Sequence, residues 1–165
     1  MRPLPLVAIT LAACAVRSAP YPLSPARYRS AYTYIRADRC TPDLTALGRP
    51  CTVGVYKTQV YLRRSAFSVG PPSDSTLAQE MAQMGHFQPA SLEPVFGPQT
   101  TAPADVGIYF GAFSGDTLMA EAITPFDPEA VYPYVFAHHT SVAYLFRIDA
   151  NGNIRSVRST RIVYD

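Results

Sequence analysis

Few side chains in this sequence have types and spacings that could do chemistry. The three cysteines are Cys14, Cys40 and Cys51, and two histidines are neighbours, His138 and His139. Asp127 and Glu129 flank Pro128, and Asp149-Ala150-Asn151-Gly152-Asn153 gathers oxygen donors in one short loop. Tyr28, Tyr32 and Tyr34 crowd one stretch near the N-terminus. Cys40 and Cys51 are too far apart for a C-x-x-C redox or zinc pair, and no histidine lies near them. The spacing predicts a disulfide around a loop with two prolines and a glycine, contributing about 2–3 kcal/mol through the unfolded state. That pairing leaves Cys14 as an odd thiol, which needs another use in an exported protein.

The remaining sets are weaker. Neighbours on a strand point to opposite faces, so His138 and His139 cannot readily share one metal. The Asp149–Asn153 loop lacks the EF-hand pattern, since Gly152 comes too early and no closing Glu follows. Turn carboxylates such as Asp127 and Glu129 are ordinarily solvated. H-E-x-x-H, G-x-S-x-G and P-loop patterns are absent, and Lys57 has Gly54 where an S-x-x-K dyad needs serine. No catalytic residue, metal ligand or cofactor is therefore assigned. Charged residues make up 16% of the chain and the net charge is +2, which points to no nucleic-acid partner.

The N-terminal edge carries the strongest signal. Arg2 is followed by an uncharged, mostly apolar run from Pro3 to Ala13, and Arg17 closes it. A membrane-spanning helix needs about 20 apolar residues, so this run is sized as an export signal instead. Leu11-Ala12-Ala13-Cys14 resembles the lipobox of bacterial lipoproteins. The resemblance implies cleavage before Cys14 and a diacylglycerol on its thiol, with two acyl chains giving stable anchoring. Ala15 in place of Asp implies the outer membrane facing the periplasm, if the source is Gram-negative. The alternative is ordinary cleavage after Ala15, which would discard the cysteine.

These side chains must be positioned by the rest of the chain. Residues 1–13 read as the signal and 14–26 as a lipid-bearing tether. Pro20, Pro22 and Pro25 keep that tether extended. Residues 27–165 read as a single, mostly β domain. Alternation over 27–36 predicts a strand with Tyr28, Tyr32 and Tyr34 on one side, a candidate ligand-stacking face. Thr52–Leu62 predicts a second strand, ended by Arg63-Arg64. The one helix expected lies near 75–84, opened by a Thr76–Gln79 capping box and stopped at Gly85. Its Leu77, Met81 and Met84 stripe should face the core.

Residues 87–103 show no period and read as a long irregular connection. Val106–Phe113 and Thr117–Ile123 predict a hairpin, with Gly107 and Gly111 bare enough for something to pack closely. Val131–Ala137 holds Pro133, which suits an edge strand or a strand start. Ser141–Ile148 and Ile154–Val163 predict a C-terminal hairpin, with Val142, Tyr144, Phe146 and Ile148 on its apolar face. The expected fold is α+β, a mainly antiparallel sheet of about six or seven strands with one short helix.

The functional expectation is an exported, lipid-anchored cell-envelope protein acting as a non-catalytic interaction or scaffold module. It would meet the membrane through its lipid and an envelope protein or peptidoglycan through its domain. The alternatives are a periplasmic small-molecule or glycan binder, or a hydrolase using His138 or His139.

Overall fold

A computed structural model of the chain describes residues 23–40, 50–68, 70, 72–98, 102–126 and 140–164. Five strands form one sheet in the order β1 (Val53–Val55), β2 (Val106–Phe110), β3 (Thr117–Ile123), β4 (Thr140–Ile148), β5 (Ile154–Val163). β1 runs parallel to β2, and the other pairings are antiparallel. The α+β class holds, but the sheet is mixed and has five strands among the described residues. A parallel pair needs a long crossover. Here the crossover carries a 3₁₀ turn (Arg64–Phe67), a helix at Asp74–His86 and a one-turn helix at Glu93–Phe96.

The largest departure from expectation is at the start of the domain. Pro25–Arg39 is a helix, α1, where a strand was expected, so Pro25 and Ala26 open it and do not belong to an extended tether. Ser24 stands at the N-cap and Pro25 in the first turn, where its missing N–H costs nothing. Tyr28, Ala31 and Ile35 are the buried residues of α1 and recur at helical spacing. They pack on Ile108, Phe110, Leu118, Tyr144 and Phe146 to form the main core on one face of the sheet. Arg27 fastens the start of α1, donating from Nη2 to the carbonyls of Ile148 at 2.6 Å and Gly115 at 3.0 Å. Its guanidinium lies 3.8 Å from the Phe113 ring centroid. At the end of α1, Cys40 pairs with Cys51, with their Cα atoms 5.7 Å apart.

The second expected strand is shortened to the three residues of β1. Beyond it the chain still follows β2, with Tyr56 N–H donating to the Ile108 carbonyl and Val60 N–H to the Phe110 carbonyl, both at 2.9 Å. Between these, Gln59 and Lys57 turn their backbone groups to Ala90 and Leu92. The described part of the stretch 87–103 is accordingly less irregular than its sequence suggests. Leu92 and Val95 are buried, and the one-turn helix Glu93–Phe96, α3, stacks Phe96 on Phe110 with ring centroids 5.6 Å apart.

The expected helix near 75–84 is present as α2, Asp74–His86, but its details differ. Ser73 is the cap and accepts from Thr76 N–H at 3.2 Å, and the helix runs through Gly85. Met81 and Met84 are 65% and 48% exposed, so the methionine stripe is not core. The one buried residue of α2 is Glu80, which accepts from Ser65 N–H at 2.8 Å and Ser65 Oγ at 2.7 Å.

Both predicted hairpins form. β2 and β3 pair from Gly107↔Ile123 to Phe110↔Ala120, and β4 and β5 pair from Thr140↔Val163 to Ile148↔Ile154. The Val131–Ala137 expectation lies outside the described residues. No described helix is long and apolar enough to cross a membrane.

Candidate functional site

The sheet has a second face. There Tyr109, Met119, Glu121, Ile123, Ser141 and Ala143 point away from α1, because strand residues alternate between faces. The extended segment after β1 follows the edge of β2, with Val60 and Leu62 packing among Tyr109, Ile123 and Phe126. Between this segment, α2 and the sheet runs a groove of about 920 Å³. Its walls are mostly apolar, including Val60, Leu62, Met119 and Ile162, with Tyr164 near its floor and Met84 on α2. An unbranched thioether can adapt to varied partners, which gives the exposed Met84 a place outside the core.

Glu121 stands in the middle of β3 and is 2% exposed. Its Oε1 accepts from the Ser141 hydroxyl and from the Tyr164 hydroxyl, the latter at 2.6 Å. Ser141 lies opposite Ile123 in the β3–β4 register, two residues before Ala143, the partner of Glu121, and on the same face. Burial pushes the Glu121 carboxyl above the ordinary range, and the two hydroxyl donors hold it partly back. A carboxyl in such a place carries its proton to higher pH than a surface glutamate. It can then donate a hydrogen bond, or give up the proton to a base brought into the groove.

The residues singled out from sequence go elsewhere. Tyr28, Tyr32 and Tyr34 do not form one face, because they lie on a helix. Tyr28 is fully buried, Tyr32 packs on Phe96 with centroids 5.6 Å apart, and Tyr34 meets the edge of Phe146 at 5.5 Å. Burial raises the Tyr28 phenol to about 12, and its hydroxyl joins Gln59 to Gly111 inside the protein.

Asp149 takes four donors. Its Oδ1 accepts backbone N–H bonds from Asn151 at 3.0 Å and Asn153 at 2.9 Å, and its Oδ2 meets Asn153 Nδ2 at 3.0 Å and Arg155 Nη2 at 2.7 Å. Oxygens used in this way shape a turn and pair with Arg155. Among the described residues, no group of three or more His, Cys, Asp and Glu gathers as metal ligands would. Cys14, Asp127, Glu129, His138 and His139 lie outside the described residues.

Sequence reasoning missed Glu121. Its signal was available, since it is the lone charged residue in Thr117-Leu-Met-Ala-Glu-Ala-Ile123. A charge in an apolar strand is rarely buried without a partner. Ser141 and Tyr164 gave no comparable signal, because only the register brings them to it. Comparisons with protein-family models, curated proteins and solved structures find no match.

Proposed function

We propose that the chain is an exported, lipid-anchored protein of the cell envelope. Its domain binds a small amphipathic molecule in the groove above Glu121. The observation that carries the binding reading is the buried carboxyl of Glu121 beneath a mostly apolar groove of about 920 Å³. Ligand sites of about 300–1,000 Å³ typically combine apolar walls with a few placed polar groups. An apolar body would displace water from Leu62, Met119 and Ile162, and a hydrogen-bonding head would meet the Glu121 carboxyl. The Leu11-Ala12-Ala13-Cys14 run supports the address, with Cys14 as the lipid-bearing residue.

Two measurements test this reading. Intact mass of the mature protein is expected to show an N-terminus at Cys14 carrying a diacylglycerol, and Cys14→Ser is expected to release the protein from membranes. A thermal-shift series compares a long-chain amine, a long-chain alcohol and a soluble glycan. The chain-bearing ligands are expected to raise Tm by mass action, and Ile162→Trp, which fills the groove, to abolish that rise. A Tm raised by the glycan alone would favour a saccharide binder. No shift with any of the three would leave the interaction or scaffold role as the better reading.

A further inference from the structure

Arg64, Arg147 and Arg158 come from three parts of the chain, yet they line one cavity of about 390 Å³ together with Thr117 and Ser156. The sheet register explains the convergence. Arg147 on β4 stands between Thr117 on β3 and Ser156 on β5, so one row across three strands reads hydroxyl, guanidinium, hydroxyl. Cross-strand partners share a face. Arg158 stands opposite Leu145, one step along the same face. Arg64 is supplied by the 3₁₀ turn, which lies over β5 and is fastened there by Arg158 Nη2 donating to the Phe67 carbonyl at 3.2 Å.

Among the described residues, no carboxylate lines this cavity. Asp116 is near in sequence and accepts from the Thr117 hydroxyl at 3.1 Å, but it is not among the lining residues. All three arginines are exposed, so burying apolar area does not require them to meet. Like charges brought together repel, and the repulsion is relieved by an anion between them. Guanidinium forks match the oxygens of a phosphate, and flanking hydroxyls add donors. The cavity shares no lining residue with the groove over Glu121.

We propose that the cavity formed by Arg64, Arg147 and Arg158 binds a phosphate group. The phosphate belongs either to a free anion or to a lipid headgroup, and both present the same oxygens to the three guanidiniums.

The test uses the full chain in a non-ionic detergent at low salt. Inorganic phosphate is titrated in one arm, and short-chain phosphatidylglycerol in the other, with phosphatidylcholine of the same chain length as control. Saturable binding of at least one anion is expected. The Arg147→Gln/Arg158→Gln pair should weaken it by about tenfold or more, as lost charge-assisted hydrogen bonds would. Arg64→Gln, outside the sheet, should weaken it in the same direction. Arg161→Gln should not, because Arg161 pairs with Val142 and lies on the other face of β5. Tighter binding of phosphatidylglycerol than of inorganic phosphate, with phosphatidylcholine inert, supports a headgroup. Equal or tighter binding of inorganic phosphate supports a free anion. Absence of saturable binding in both arms overturns the proposal, as does binding that all the site variants leave intact.

Discussion

The ring of Phe126 occupies the space that a side chain on Gly107 would need. A Cβ built on Gly107 would lie 2.2 Å from Phe126 Cδ2. Gly54, the β1 partner of Gly107, is in the same position, with a Cβ 2.4 Å from Cδ1 of the same ring. The junction of the parallel pair is therefore bare backbone sealed by one aromatic ring, itself fully buried. Gly107→Ala or Gly54→Ala must displace the ring and is expected to destabilise by about 1–3 kcal/mol. Phe126→Ala leaves a cavity and is expected to cost about 3–5 kcal/mol. Gly107→Ala combined with Phe126→Ala should cost less than the two summed, since the new methyl enters the vacated space. Urea midpoints of the four variants check this.

A second prediction concerns the bond network inside the main core. Tyr28 Oη donates to the Gly111 carbonyl at 3.0 Å and accepts from Gln59 Nε2 at 2.6 Å, and Gln59 Oε1 accepts from Ala90 N–H at 3.2 Å. One hydroxyl thus joins α1 to the chain after β2 and to the segment after β1. Tyr28→Phe keeps the ring but strands both partners. The expected loss is about 1–3 kcal/mol, the cost of leaving buried polar groups unpaired. Spectrophotometric titration should place the midpoint of this phenol's ionisation at about 12, because burial opposes its charged form.

The elements legible in sequence were those whose signal is local. Asn151-Gly152 supplied a residue able to take the φ of 89° found at Gly152, and alternation from Val142 to Ile148 fixed the inward face of β4. α1 was not legible as a helix, because Tyr, Thr and Ile favour strands and the tyrosines alternate over a few residues. Tyr28, Ala31 and Ile35, opened by Ser24-Pro25, carried the longer helical period, which short-range alternation hid. The exposure of Met81 and Met84 was also hidden, since an apolar stripe on a helix does not say whether it meets core or groove. The candidate site was the least legible part. Glu121 is visible as an oddity, but Ser141 and Tyr164 join it only through long-range register.

The β4–β5 turn predicts behaviour in acid. Asp149 is held at about 2, chiefly by the Asn153 side chain and then by the Asn153 N–H, against an opposing desolvation, with lesser help from the Asn151 N–H and Arg155. A folded-state value below the ordinary one means the unfolded chain binds the proton first as pH falls. The stabilisation is then fully present above about pH 4 and is lost toward about pH 2. Asp149→Ala should be less stable than the parent near neutrality, and the difference should shrink through that window. Urea unfolding at a series of acid pH values measures it. A constant difference across the window would show that the carboxylate's charge is not what the turn uses.

Glu121 predicts the opposite slope at higher pH. Its folded-state value is raised by burial, against the donors Ser141 and Tyr164. From the ordinary carboxyl value of about 4.3 upward, the unfolded chain releases the proton while the folded chain still holds it. The folded state then binds more protons than the unfolded state, so stability falls as pH rises until the folded carboxyl also ionises. Glu121→Gln keeps an oxygen that can accept from both hydroxyls and removes the titration. Relative to the parent, the variant should gain stability as pH rises from about 4, the reverse of the trend at Asp149→Ala. The parent and variant are compared by chemical denaturation across that range. If the parent instead gains on Glu121→Gln as pH rises, the groove floor is stabilising a carboxylate anion, and the amphipathic ligand would need a cationic head to match it.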